Sequence, residues 1–70
     1  MKMAHVLASV AVSRARLQNG ISTAAACGDY GWVRVARRNL DTYDKRIEAL
    51  VKVLAPAVVA EARELTNAPI

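Results

Sequence analysis

The stretch VRVARRNLDTYDKRIEALVKVL, residues 33–54, decides the fold. Its positions Val33, Ala36, Leu40, Tyr43, Ile47, Leu50 and Leu54 alternate spacings of three and four without a miss. That is the a/d seam of an amphipathic helix. The opposite stripe, Arg34, Arg38, Asp41, Lys45, Glu48 and Lys52, is charged throughout. Arg37–Asp41, Asp41–Lys45 and Glu48–Lys52 are placed for i,i+4 ion pairs. One face of this helix is to be buried and the other wet.

Upstream, Met3, Leu7, Val10, Arg14, Leu17, Ile21 and Ala24 repeat the same spacing. Asn19-Gly20 could end a helix there, since glycine often closes a last turn. The pattern resumes in register at Ile21, which favours one helix over about 3–27, with a break at Gly20 as the alternative. Gly28-Asp29-Tyr30-Gly31 then connects it to a second helix over about 31–55. Gly28 suits a left-handed closing position and Asp29 an N-cap. So short a link implies antiparallel neighbours. If the chain turns near residue 29, Leu7 falls beside Leu50 and Val51, Val10 beside Ile47, and Ile21 beside Ala36. Arg14, the one charge in the first seam, falls beside Tyr43 and Asp44. After Pro56, which cannot donate a backbone hydrogen bond, Val58, Val59, Ala62 and Leu65 indicate a kink or a short third helix to about 65. Residues 66–70 are expected to fray.

Seventy residues make a single domain, 1–70, near the size below which a core needs support. Cys27 and His5 are the only residues of their kinds, so neither a disulfide within the chain nor a zinc site can supply it. The back of the first helix, His5, Ala8, Val12, Ala15, Asn19, Ser22 and Ala26, is small and uncharged, unlike the back of the second. That contrast predicts a homodimer, with Ala8, Val12, Ala15 and Asn19 at its interface. Two hairpins would then form a four-helix assembly. The alternative is that the segment after Pro56 folds over this face within one chain. The all-α class holds in both cases.

A net charge of +4 is ordinary for a small domain, although the pI near 9.9 invites an acidic partner. Lys2 followed by Met3–Val12 has the outline of a signal peptide, but His5 and Ser9 interrupt it. No run approaches the roughly 20 apolar residues of a membrane span. The lone cysteine suits a reducing compartment, so a cytoplasmic location is expected.

The inventory for catalysis is nearly empty. There is no Gly-rich phosphate loop, no metal-ligand spacing and no Ser/His/Asp set. No enzyme activity, cofactor, metal or small-molecule substrate is expected. The marked surface is instead Arg34, Arg37 and Arg38 in the first turns of the second helix, preceded by Tyr30 and Trp32. Cations at a helix N-terminus oppose its dipole, so local stability does not explain them, and Trp, Tyr and Arg are the residues enriched at binding hot spots. The alternative is that Trp32 plugs the hairpin end while the arginines are solvated. A protein partner suits this set best. Nucleic acid is the second option, although no short helix-turn-helix or ribbon-before-helices arrangement is present.

The Gly28-Asp29-Tyr30 turn after Ala24-Ala25-Ala26 resembles the inter-helix turn of tetratricopeptide-type hairpins, over about ten residues and without the repeats. As a whole, the chain resembles the small basic helical proteins of temperate phages that hold down host regulators, of the anti-quorum-sensing type. The likeness lies in length, in the lack of catalytic residues and in the two-helix plan. No motif carries a functional residue across. The resemblance implies binding and blocking of a host transcription activator.

Overall fold

The computed structural model describes residues 2–70. Three helices follow in order: α1 (Met3–Ala26), α2 (Tyr30–Val53) and α3 (Pro56–Leu65). They pack against one another in a rod of 42 × 19 × 17 Å. No strand occurs among the described residues.

The link between α1 and α2 works by the chemistry its residues allow. Gly28 has φ 80, a conformation from which a side chain would be repelled. Its amide donates to the Ala25 carbonyl and that of Asp29 to the Ala24 carbonyl, satisfying the end of α1. The Asp29 carboxylate then accepts from the Trp32 amide at 3.3 Å and caps α2. α1 runs through Gly20 unbroken.

Contacts between α1 and α2 advance in opposite directions along the two helices. Ile21 clusters with Val33 and Ala36, near the turn. Arg14 forms an ion pair with Asp44. Leu7 lies in a cluster that Ile47, Leu50, Val51 and Leu54 pack against. The Arg14–Asp44 pair is partly open to water, so its contribution is at most about 1 kcal/mol. Its main effect is to give a seam arginine an acid where an apolar residue would otherwise be required.

At the far end the chain turns sharply. Leu54 and Ala55 are extended, as the residue before a proline must be, and Pro56 opens α3, where a missing N–H costs nothing. α3 packs on α1. Val59 and Ala62 meet Ala4, Leu7 and Ala8, and all five are buried. Small residues on both helices permit that approach. The last five residues, expected to fray, are placed against the rest of the protein. Ala68 N–H donates to the Thr66 hydroxyl at 3.1 Å, and the Arg63 guanidinium donates to the Ile70 carbonyl at 3.3 Å. Ile70 folds back against the core.

This arrangement corrects the expectation for Ala8. A second copy is not needed to cover it, because α3 of the same chain does so and leaves it 7% exposed. The expected ion-pair ladder on α2 is also thinner than its spacing suggests. Asp41 pairs with Lys45 at 3.0 Å, while Arg37–Asp41 and Glu48–Lys52 do not close. Met3–Val12, whose composition resembles a leader, supplies Ala4, Leu7, Ala8 and Ala11 to the core.

Gly20 sits under the indole of Trp32. A Cβ there would lie 3.3 Å from the ring's edge. Trp32 is 44% exposed, so its ring has open space to shift into, whereas Ala is favoured over Gly in a helix interior by about 1 kcal/mol. Gly20→Ala is therefore expected to raise the melting temperature by a few degrees. A lower melting temperature would mean that the ring cannot move aside.

Candidate functional site

The basic residues at the start of α2 come together because of helical geometry. Tyr30, Arg34, Arg37 and Arg38 recur at spacings of three and four, so they share one flank. With Val33 they surround an open depression of about 420 Å³. Val33 is buried and anchors its floor to the α1–α2 core. Tyr30 is 66% exposed and the three arginines are exposed.

The electrostatics of this depression are one-sided. None of Arg34, Arg37 and Arg38 forms an ion pair among the described residues. Asp41, the acid in reach along the helix, is engaged by Lys45, and Asp29 is turned to the Trp32 amide. Three guanidiniums therefore stand within the first three turns of α2 with no counter-charge among the described residues. Guanidiniums of this kind offer paired donors to carboxylates in fork geometry.

Trp32 does not join them. Two residues from Tyr30 and Arg34, it projects from a different side of α2 and lies against Gly20 of α1. It is nevertheless 44% exposed.

Of the residues expected at a dimer interface, Ala8 is in the core, Val12 and Ala15 are half-buried, and Asn19 is exposed. Two features had no counterpart in the sequence reading. One is a groove of about 660 Å³ between α2 and the folded-back tail, with Ile47, Val51 and Ile70 inside and Arg14, Asp44 and Arg63 among the residues at its margin. The other is a small polar depression of Leu17, Asn39, Thr42, Tyr43 and Arg46. Among the described residues no group of His, Cys, Asp and Glu could hold a metal ion. Cys27 is a free, exposed thiol at the turn. No helix among them is long and apolar enough to cross a membrane.

No protein-family model matches the chain, and neither a curated protein nor a solved structure does.

Proposed function

We propose that the protein is a non-catalytic adaptor that binds another protein through the depression of Tyr30, Val33, Arg34, Arg37 and Arg38 and blocks its activity. The observation that carries this reading is the convergence of three arginines with no acidic partner around an exposed tyrosine. The fold gains nothing from that arrangement, whereas an acidic or polar partner surface would satisfy it. The resemblance to phage inhibitors of host regulators suggests a transcription activator as the target.

Protein is favoured over nucleic acid by the shape of the charge. Phosphate binding calls for basic groups strung along a surface. Below Arg37 and Arg38 on the same side of α2, Asp41, Asp44 and Glu48 alternate with Lys45 and Lys52, and the acids interrupt any such track. Arg46 lies on another flank, in the depression with Leu17 and Tyr43.

The test is a comparison of the wild-type chain with an R34A/R37A/R38A variant, each immobilised and exposed to host extract. The variant should keep its helicity, since all three side chains are solvated. It should lose a bound protein at least tenfold, as expected when a hot-spot arginine contributes about 1.4 kcal/mol or more. An unchanged set of bound proteins would sink the reading. Retention of nuclease-sensitive material, fading steeply as salt rises, would replace it with the nucleic-acid alternative.

A further inference from the structure

α3 is much shorter than the helices it packs on. α1 and α2 each have 24 residues, hence a length of about 36 Å, and α3 has 10, about 15 Å. α3 and the tail reach only to the level of Arg14 and Asp44, where Ile70 and Arg63 border the groove. From Ala15 to Ala26, a length of about 18 Å, the same side of the α1–α2 pair carries no third helix.

That vacant half continues the surface on which α3 sits. On α1, the residues under α3 and next to it, Ala4, Ala8 and Ala11, are followed at the same three-and-four spacing by Ala15, Gln18, Ser22 and Ala25. None of these is charged, three are small, and Ala15, Gln18 and Ala25 are only half-buried. On α2, Val51 and Asp44 border the groove beside the tail. Two turns further back along the same line stand Arg37 and then Tyr30, at steps of seven residues. The trough thus passes from a filled half where α2 presents Asp44, Glu48 and Lys52 to an empty half edged by arginines without an ion pair among the described residues.

We infer that the empty half is a seat for an amphipathic helix of a partner protein, about three turns long and acidic along one edge. It would lie in line with α3, its small apolar face on Ala15, Ser22 and Ala25 and its carboxylates against Arg34, Arg37 and Arg38. α3 itself shows that this side of α1 accepts a helix with Val and Ala at its contact points. The charge complement selects the partner's acidic edge. The inference rests on the protein-binding reading of the basic depression and adds the form of what binds there.

The probe is a stapled peptide of about 14 residues with Ala and Leu along one face and Glu along its flank. Titrated into isotope-labelled protein, it should shift amide resonances of residues 15–26 and 30–38 and leave those of α3 unmoved. An R34E/R37E variant should bind it at least tenfold more weakly, and a Lys-flanked version of the peptide should recover that loss. Ser22→Arg, which places a long side chain in the trough from an exposed position, should abolish binding with the helicity intact. If it disturbs the fold, Gln18→Arg serves the same purpose.

Equal binding of a scrambled peptide, or shifts confined to the Ile47–Ile70 groove, would overturn the inference. So would self-association of the wild-type chain that Ser22→Arg removes, because the occupant would then be a second copy. A host protein lost by R34A/R37A/R38A but retained by Ser22→Arg would sink the helix seat and leave the binding reading standing.

Discussion

Leu7→Ala is expected to remove most of the stability of this protein. Leu7 is 0% exposed and is the one large side chain fully enclosed among the described residues. It stands where all three helices meet, with Ala4, Ala8, Val59 and Ala62 around it and Ile47, Leu50 and Leu54 packed against the cluster. Its neighbours on α1 and α3 are alanines and a valine, which cannot move far enough to refill the space. Truncating a buried leucine costs about 2–5 kcal/mol, with the larger values where a cavity persists. A domain of this size has a total of only about 4–10 kcal/mol. The variant should therefore show a denaturation midpoint reduced by half or more, or no cooperative transition at all. A loss below about 1 kcal/mol would show that the helices close over the gap, and that the core is held elsewhere.

Ala62→Glu should be comparably severe, by a different route. Ala62 is 0% exposed on α3, facing the α1 alanines. A glutamate there adds volume in a close helix contact and sets a carboxylate among Ala4, Leu7, Ala8 and Val59. Overpacking alone costs about 1–3 kcal/mol, and an unpaired buried charge is more costly still. The chain avoids both by releasing α3, and a helix of 10 residues does not persist in water without packing. Ellipticity should fall by about ten residues' worth, and protease should cut near Pro56. Ala60→Glu is the control: Ala60 is exposed on the same helix, and such a surface change falls within about 0.5 kcal/mol. Equal stability of the two variants would mean that α3 is not docked as described.

α2 was legible because two signals coincide in it. Its seam from Val33 to Leu54 keeps strict spacing and its opposite stripe is charged, so face and length both follow. The extent of α1 was legible too, as was the opposition of Arg14 and Asp44. What stayed hidden was the second buried stripe of α1. Ala4 and Ala11 are almost fully enclosed, yet alanine is so common on open helix surfaces that its periodicity carries little weight. The complementary signal is Val59 and Ala62, small residues one turn apart on the segment whose folding over this face is the alternative to a dimer, and it is this alternative that the packing of α3 on Ala4 and Ala8 follows.

The site divides in the same manner. Tyr30, Arg34, Arg37 and Arg38 share a flank because three-and-four spacing requires it. Trp32 adjoins them in sequence, and the 100° advance per residue separates it. Its contact with Gly20 has no spacing rule behind it. The turn register sets Trp32 against Ala26, and a long ring reaches along the helix to the gap a glycine leaves.

That contact makes the protein its own optical probe. Trp32 is the only tryptophan and is held against α1 near the turn, remote from the cluster of Leu7, Val59 and Ala62. Intrinsic fluorescence thus follows the parting of the first two helices and is silent to the lifting of the third. Recorded on an unlabelled sample beside a whole-molecule signal, it tells whether the two ends of the rod come apart as one event or in sequence.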